Sequence, residues 1–297
     1  MIQTFVEREF QPSFAEGKEP KLLSASNIHS DYAHHTRSLH KHEDRCELLF
    51  VRYGGSDYVV GEQTYRVRKG DMIITNSGVL HDEWLGKDDT VAYYSLAIGD
   101  LELPDLPLNH LMSDDMQPVI PTGEHYEFFN FMLSSIYELM VSKEQGVEET
   151  CHHLMVAVLS LLLHLMQSDD FKKESVVSSS LIMDVRAYLD EHYMEDISLQ
   201  TISQKFFVSS YHLSHVFKDE TGYSPMNYVY RRRIGEAQTL LITTKDTITD
   251  IAVRVGFSNP NNFNIQFQKQ VGLSPRQYRK IYLTHVPGEP GSEGEEE

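Results

Sequence analysis

The chain has 297 residues, of which 40% are hydrophobic, and it carries a formal net charge of −18. This length and apolar content are sufficient for about two domains with buried cores. The two distant cysteines, Cys46 and Cys151, argue against a disulfide framework, and the charged N-terminus and the lack of an apolar run of bilayer length argue against secretion and membrane insertion, so we expect a cytoplasmic protein without a membrane partner.

The acidic charge is unevenly distributed along the chain. Residues 1–180 contain 14 Lys and Arg against 29 Asp and Glu, whereas residues 181–285 contain 12 against 10. Binding to phosphates depends on the local field, so the second segment is compatible with nucleic acid binding. Arg231, Arg232 and Arg233 lie within it. A solvated helix face is the alternative interpretation of these three arginines.

Short apolar runs separated by glycine dominate residues 40–100. The runs are 47–51, 58–60, 65–67, 72–74 and 92–96. Such runs, with turn residues between them, are typical of an all-β sandwich or barrel. Residues 100–121 are rich in Pro and Asp and predict a loop, so the first predicted domain spans 1–121.

Two helices with apolar residues at helical spacing are predicted next, over Glu124–Lys143 and Val147–Gln167. They predict a helical hairpin over 122–166 that packs on the β domain. In a second interpretation one face of the hairpin also pairs with a second subunit, which makes the protein a homodimer. The Ser-rich segment 167–180 predicts a linker, and the Gly-, Pro- and Glu-rich residues 286–297 predict a disordered acidic tail.

An internal repeat with an offset of 50 residues marks the C-terminal part of the chain. The two copies are Phe217-Lys218-x-x-x-Gly222-x-Ser224-Pro225-x-x-Tyr228 and Phe267-x-Lys269-x-x-Gly272-x-Ser274-Pro275-x-x-Tyr278. A repeat of this period indicates one supersecondary unit used twice. Upstream of the second copy, a helix that starts at Thr247, a turn at Gly256 and a helix capped by Asn259 predict a helix-turn-helix.

The first copy follows the same plan, with a helix, a turn at Phe207-Val208 and a second helix capped by Ser209. The offset between the copies changes from 49 at the turn to 50 in the second helix. A helix from Pro225 to about Leu241 joins the two units. We therefore predict an all-α domain over 181–285, whose two recognition helices enter successive major-groove faces about 34 Å apart.

These residues resemble the AraC/XylS family of transcription regulators over roughly residues 181–282. The matching motifs are Leu213-Ser214-x-Val216-Phe217-Lys218-x-x-x-Gly222, Arg233-Ile234-x-x-Ala237-x-x-Leu240-Leu241, Ile248-x-x-Ile251-Ala252-x-x-Val255-Gly256-Phe257 and Phe263-x-x-x-Phe267-x-Lys269-x-x-Gly272-x-Ser274-Pro275-x-x-Tyr278-Arg279. The resemblance implies sequence-specific binding to double-stranded DNA, most often as an activator that contacts RNA polymerase.

The resemblance also implies which residues contact DNA, because family members place the N-terminal and outward positions of both recognition helices in the groove. The implied base contacts are Ser210, Tyr211, Ser214, His215, Asn261, Asn262, Asn264 and Ile265. Asn pairs with adenine and Ile touches a thymine methyl, so the second helix hints at A·T-rich DNA, with surface and capping roles as the alternative. The candidate phosphate contacts are Ser209, Arg231, Arg232, Arg254, Asn259, Lys269, Arg276 and Lys280.

The chain departs from the family pattern at several of these positions. Ser203 and Phe207 stand where a small Ala and often a Gly are usual in the first unit. His215 and Ile265 stand where Arg is frequent in the recognition helices, and Asn262 replaces a common aromatic residue. Contacts that Arg would make to guanine or phosphate at these positions are therefore not carried over.

The N-terminal half resembles a cupin barrel over about residues 25–100. The two motifs are His40-x-His42-(four residues)-Glu47-(six residues)-Gly54 and Gly70-(five residues)-Asn76-x-Gly78-x-x-His81, with Asn76 in place of the usual Pro. In metal-binding cupins the corresponding side chains converge on one metal. The resemblance thus implies a possible divalent metal at His40, His42, Glu47 and His81, a donor set that suits Fe, Mn, Ni or Zn.

A metal is not required by this resemblance, because AraC-type sensors often keep part of the motif around a small-molecule pocket, most often for a sugar. The implied pocket residues are His40, His42, Glu47, Tyr58, His81 and Trp84. We therefore expect a non-enzymatic, ligand-responsive regulator with a cupin-like sensor. The alternatives are a metal-dependent cupin dioxygenase or isomerase fused to a DNA-binding domain, and a regulator controlled by a protein partner.

Overall fold

The computed structural model describes residues 5, 9–15, 17–28, 38–61, 63–84, 90–113, 115–167 and 180–283. Among them, one compact unit comprises 5–28 and 41–167, and the other comprises 38–40 and 180–283. The predicted tail 286–297, and the predicted linker 167–180 apart from its two end residues, lie outside the described residues. In the described part of the chain, no helix combines the length and apolar character needed to cross a membrane.

Within its described residues, the first unit is built on seven antiparallel strands that form one connected sheet. The strands are β1 (Lys21–Ile28), β2 (Cys46–Val60), β3 (Gln63–Arg68), β4 (Asp71–Thr75), β5 (His81–Trp84), β6 (Val91–Gly99) and β7 (Val119–Pro121). Their order is β1-β6-β2-β4-β7, and β3 and β5 both pair with β2. The predicted β-rich, cupin-like domain is confirmed.

Strand β2 is the central strand of this unit. Its first half pairs with β4 and β6, and its second half pairs with β3 and β5. Its pairing with β6 shifts register between Val51 and Tyr53, and Gly54 follows with a φ of 69°. A Cβ at Gly54 would lie 1.7 Å from the Thr90 carbonyl oxygen, so only glycine allows this approach. The bend lets the second half of β2 pair with β3 and β5.

Side-chain alternation along β2 divides the sheet into two faces. Leu48 and Phe50 lie in the hydrophobic core that contains the helices. Leu49 and Val51 lie in a separate apolar cluster with Tyr58. Because successive side chains of a strand point to opposite faces, Glu47 lies on the Leu49 face, which we call the inner face.

The predicted helical hairpin is confirmed as α1 (Tyr126–Ser142) and α2 (Val147–Leu165). A single turn of 3-10 helix, Gly123–His125, precedes it. The connection uses left-handed conformations at Lys143 and Gly146, with φ of 54° and 89°. The buried faces of the hairpin complete the core on the outer side of the sheet.

Residues 180–283 of the second unit form helices joined by short turns, as predicted. Its helices are α3 (Ser180–His192), α4 (Leu199–Lys205), α5 (Ser210–Thr221), α6 (Pro225–Thr243), α7 (Ile248–Arg254), α8 (Pro260–Val271) and α9 (Pro275–Leu283). Helix α6 joins the pair α4–α5 to the pair α7–α8, so the two predicted helix-turn-helix units and their joining helix are confirmed.

Side-chain caps set where these helices begin. Ser209 accepts from His212 N at 3.2 Å, Thr247 from Asp250 N at 3.1 Å and Asn259 from Asn261 N at 2.8 Å, as the sequence predicts. Pro occupies the first turn of α6 and of α8. Each cap satisfies a donor that the helix itself leaves unpaired and contributes about 1 kcal/mol.

Candidate nucleic-acid interface and effector site

The two helix-turn-helix units share one backbone hydrogen bond across the turn. Val208 N donates to Ser203 O at 3.0 Å in the first unit, and Phe257 N donates to Ala252 O at 2.9 Å in the second. The donors are 49 residues apart, as are the acceptors. The offset of 49 residues that the sequence predicts for the two turns is therefore confirmed by their backbone hydrogen bonds.

The packing inside each turn differs. In the first unit, Ser203 takes the place of a small Ala, and its hydroxyl lies 2.9 Å from Ser210 Oγ. In the second unit the contact is apolar, since Ala252 is buried and Phe257 packs edge-on against Phe263 with ring centroids 5.3 Å apart. The hydroxyl pair replaces an apolar contact where α4 and α5 cross.

The exposed side of each recognition helix carries most of the predicted base-reading residues. Tyr211, His215, Asn261, Asn262, Asn264 and Ile265 are exposed, and Ser214 is half-buried. Ser210 is also half-buried, and its hydroxyl is engaged by Ser203, which favours a packing role over base reading. The remaining assignments stay predictions that this exposure permits.

Most of the predicted phosphate contacts are accessible. Ser209, Arg254, Asn259, Lys269, Arg276 and Lys280 are exposed. Arg231 is half-buried, with its guanidinium 4.9 Å from the centre of the Tyr223 ring. Arg254 also lies 3.1 Å from Asp246, so a phosphate would compete with that exposed ion pair.

The prediction for Arg232 is wrong, because this side chain is only 2% exposed. Its Nη1 donates to Leu39 O at 3.2 Å and its Nε lies 3.5 Å from Asp190. Arg233 is also buried and donates to the backbone oxygens of Tyr193 and Glu195, both at 2.6 Å. Burial lowers the pKa of Arg233. Two of the three consecutive arginines therefore stabilise α6 within the unit rather than offering charge to DNA.

A cleft between the two helix-turn-helix units contains a basic residue, Lys218, that is not among the predicted DNA contacts. Its volume is about 490 Å³, and Lys218 of α5 and Lys269 of α8 line it together with Ser224 and Asn227 at the start of α6. Lys218 is part of the fifty-residue repeat, which was the available signal. The cleft therefore places the Lys218 and Lys269 ammonium groups between the two helix-turn-helix units.

Three of the predicted cupin residues come together on the inner face of the sheet. His81 Nε2 lies 3.1 Å from Glu47 Oε2, and His42 Nε2 lies 3.7 Å from the same oxygen. The His42 and His81 ring centroids are 5.5 Å apart. The other carboxylate oxygen, Glu47 Oε1, accepts from Ser95 Oγ at 2.8 Å. Ser95 thus fixes the carboxylate so that one oxygen faces both imidazoles.

Backbone carbonyls orient the histidine rings. His81 Nδ1 lies 3.0 Å from Val79 O, and since a carbonyl only accepts, Nδ1 carries the hydrogen. In the neutral ring this leaves a lone pair on Nε2, the atom that faces Glu47. The ring of His40, the fourth predicted ligand, is oriented by the same kind of hydrogen bond, with Nδ1 2.8 Å from Ser38 O. Such an outer hydrogen bond to a carbonyl is typical of metal-binding histidine.

The spacing of the three groups fits one bound ion. Ligand atoms about 2.1 Å from a common metal are separated by about 3.0 Å in octahedral and about 3.4 Å in tetrahedral geometry. The observed separations from Glu47 Oε2, 3.1 and 3.7 Å, lie close to these values. Two imidazoles and a carboxylate are a donor set that Fe, Mn, Ni and Zn accept.

Further polar groups lie on the inner face beside this cluster. Tyr58 stacks near His81 with ring centroids 6.5 Å apart, and burial together with the Glu47 charge raises the pKa of Tyr58 well above its usual range. Burial also raises the pKa of Glu83 to about 7. Tyr93 Oη lies 2.6 Å from Ser56 Oγ. Of these residues, Tyr58 is predicted from the sequence and Ser56, Glu83 and Tyr93 are not, although strand alternation from His81 to Glu83 is a usable signal.

Trp84, the remaining predicted pocket residue, lies in β5, where its backbone pairs with Asp57. Its side chain is outside the described part of the structure. It therefore stays a prediction.

Comparisons with known proteins bear on both halves of the chain. A family described as an AraC-like ligand binding domain matches residues 26–115, and one described as a helix-turn-helix domain matches residues 202–281. Together the two segments cover more than half of the chain.

Two curated relatives match nearly the whole length. The HTH-type transcriptional regulator YdiP of Escherichia coli strain K12 is 26% identical over 284 residues, which is 95% of this chain and 93% of YdiP. The HTH-type transcriptional activator RhaS of Escherichia coli strain SMS-3-5 is 25% identical over 272 residues, 88% of this chain and 91% of RhaS. Among solved structures, the C-terminal domain of AraT, a response regulator from Geobacillus stearothermophilus, is 32% identical, covers 36% of this chain and 88% of that chain, and has a TM-score of 0.35.

Proposed function

Since the chain belongs to the AraC family of DNA-binding transcription regulators, we propose that it activates transcription in response to a small ligand held on the inner face of its β-rich unit. The observation that carries the proposal is the coexistence of two exposed recognition helices and a largely buried polar cluster in one chain. Similarity to RhaS, whose name describes a transcriptional activator, supports activation. An activator of this kind would act by contacting RNA polymerase.

The DNA-binding part of the proposal rests on the joining helix. Helix α6 has 19 residues, which gives a length of about 28 Å. Successive major-groove segments on one side of a duplex are about 34 Å apart. Helix α6 contacts both recognition helices, α5 and α8, so it holds them at a fixed separation that suits two such segments of one operator.

DNA binding is tested with the full chain and a duplex selected from a random library. We expect an affinity for the selected duplex at least a thousandfold above that for scrambled DNA of the same length at moderate salt. Equal affinity for both duplexes would contradict sequence-specific regulation.

For the effector we propose a sugar, because hydroxyl-rich ligands need several fixed hydrogen-bonding groups. Glu47, Ser56, Glu83, Tyr93 and Ser95 supply such groups on the inner face. Thermal unfolding of the full chain with a panel of neutral monosaccharides and sugar acids is the test. A ligand that raises the unfolding temperature of the wild type but not of Ser95→Ala supports the sugar pocket. No response to any sugar favours control by a protein partner.

We further propose a homodimer formed through the hairpin. Phe128 and Phe131, one turn apart on α1, are 47% and 66% exposed, and α2 has half-buried Leu154 and Leu161 two turns apart. Exposed apolar side chains at helical spacing are typical of a helix that pairs with a partner. Light scattering should show a dimer that Phe131→Glu converts to monomer. Val141→Glu, at another exposed apolar site of α1, is the matched control and should remain dimeric.

A divalent metal is a second candidate ligand, and the orientation of the histidine rings favours it. His42, Glu47 and His81 would hold the ion. The metal would supply a Lewis acid that binds an oxygen-rich effector. Ser95 and the Val79 carbonyl would keep the Glu47 carboxylate and the His81 ring in place.

Metal binding is tested on chelator-treated full-length protein with Zn²⁺ and Ni²⁺ as probes. We expect one ion per chain, and at least a tenfold loss of affinity in Ser95→Ala, because outer hydrogen bonds contribute about 10–100-fold to metal affinity. Exposed His153 on α2 gives the control variant His153→Ala, which should bind normally. Absence of binding by the wild type removes the metal proposal. Binding that leaves operator affinity unchanged would favour the alternative of a metal-dependent enzyme fused to a DNA-binding domain.

A further inference from the structure

Phe207 occupies the turn of the first helix-turn-helix unit in a conformation that favours glycine. Its φ is 55°, in the left-handed region. Its side chain is 95% exposed. A bulky residue with positive φ is an outlier in proteins, and such outliers concentrate at functional sites.

The second helix-turn-helix unit has Gly256 at the position equivalent to Phe207, with φ of 92°. There a Cβ would lie 2.4 Å from Met194 O, so the close approach of the chain requires glycine. The first turn keeps the same backbone hydrogen bond but carries a full aromatic side chain. The two turns thus share a conformation, and only one of them presents a side chain outward.

The fold gains little from the Phe207 ring. A side chain that is 95% exposed buries almost no apolar area, so packing within the described part of the chain does not offset the strained backbone or the cost of exposing the ring to water. The next two residues stabilise the turn: Val208 closes its backbone hydrogen bond, and Ser209 caps α5. The ring is therefore free to serve contacts outside the chain.

The position of Phe207 identifies the partner. It lies two residues before Ser209, the cap of α5, and the N-terminal end of a recognition helix is the part that approaches base edges. Tyr211, in the first turn of α5, is 76% exposed and packs against His215, with ring centroids 4.7 Å apart and ring planes tilted by 54°. Residues 209–217 contain neither Lys nor Arg. This end of the first unit therefore offers DNA aromatic surface rather than charge.

We propose that Phe207 is a DNA-contacting residue whose ring packs against a deoxyribose and a thymine methyl at the edge of the major groove, beside Tyr211. The contact rests on the proposed DNA-binding function and adds a residue outside the recognition helix to it. Apolar contact with the thymine methyl group is an established mode of base discrimination. It would favour thymine next to the half-site of the first unit.

The experiment compares Phe207→Gly and Phe207→Leu with the wild type in the full chain. The probe is a duplex selected from a random library by the wild type. Phe207→Gly should bind about fivefold more weakly, whereas Phe207→Leu, which keeps apolar bulk, should lose less than twofold. The slope of log affinity against log salt should stay unchanged in both, because no phosphate charge is lost. Phe10→Gly, which removes an 85% exposed Phe from the other unit, is the control and should bind normally.

Stability provides an independent readout of correct folding. Because glycine relieves the strained φ, Phe207→Gly should unfold at a temperature about 2–4 °C higher than the wild type. Weaker binding by a more stable protein cannot be ascribed to misfolding.

Three results would overturn the inference. Unchanged operator affinity in Phe207→Gly removes the DNA contact. Unchanged affinity with reduced transcription from a reporter assigns the ring to a protein partner instead. A lower salt slope assigns the loss to phosphate charge. If the wild type selects no sequence at all, the proposed function itself fails, which is distinguishable from each of these results.

Discussion

The two helix-turn-helix units of this chain have the same backbone arrangement but expose different side chains. Both close the turn with the same backbone hydrogen bond and bury aromatic residues of α5 and α8. The first turn presents Phe207 outward, whereas the second has Gly256 pressed against the backbone of Met194. The first recognition helix exposes Tyr211 and His215, and the second exposes an Asn-rich surface. The two units thus share their internal packing and differ in the surfaces that we expect to contact DNA.

The largest expected effect comes from forcing the second turn to resemble the first. Gly256→Ala combines a positive φ with a Cβ placed 2.4 Å from Met194 O, so it should destabilise the helical unit by about 3 kcal/mol. Urea unfolding followed by circular dichroism measures this. Phe207→Ala is the matched variant in the first turn and should change stability by less than about 1 kcal/mol. Equal losses in the two turns would show that the units are not packed differently.

A second prediction concerns the helix that joins the units. Arg232→Ala should cost about 2 kcal/mol, because it breaks the buried contacts to Asp190 and to Leu39 O. Arg231→Ala removes a contact with the Tyr223 ring, so it should cost about 1 kcal/mol or less, but it should lower the salt slope of DNA binding by about 1, as expected for a phosphate contact. Unfolding and salt titration of both variants separate the two roles. A stability loss in Arg231→Ala similar to that in Arg232→Ala would remove the distinction.

The caps give the smallest effects and test whether the units are equivalent at their recognition helices. Ser209→Ala and Asn259→Ala each remove an acceptor for a backbone donor, so each should cost about 1 kcal/mol. The same replacement with Gly should cost only a few tenths of a kcal/mol. Thermal unfolding of the four variants checks both expectations. A large loss at one cap and none at the other would reveal that only one recognition helix depends on its cap.

Much of this architecture could be predicted from sequence because it depends on local rules. Glycine, Pro and Ser at fixed offsets mark turns and caps, and the repeat aligns the two units to the residue. Arg232 was misassigned because charge alone predicts exposure, whereas α6 is surrounded by packing partners on several sides. The sequence also could not show that Phe207 keeps the left-handed turn that glycine normally adopts.

The sensor half shows the same limit. The spacing of His42, Glu47 and His81 predicted a cluster, since these types recur at cupin positions. Ser95 and Glu83 were missed because their roles depend on strand pairing. Ser95 lies opposite Leu49 in the register of β2 and β6, and Glu83 lies opposite Tyr58 in that of β2 and β5. Residues that join a site through strand pairing cannot be identified from the sequence alone, because the register of distant strands is not known from it.

The most direct test of the account is a comparison of the DNA sequences selected by the wild type and by one variant of each recognition helix. His215→Ala and Asn264→Ala alter exposed side chains of α5 and α8. We predict that each relaxes the preferred bases in one half-site only, and that the two half-sites lie about 10 base pairs apart, centre to centre. Relaxation of the same bases by both variants, or a change in neither, would contradict the division of sequence reading between the two units.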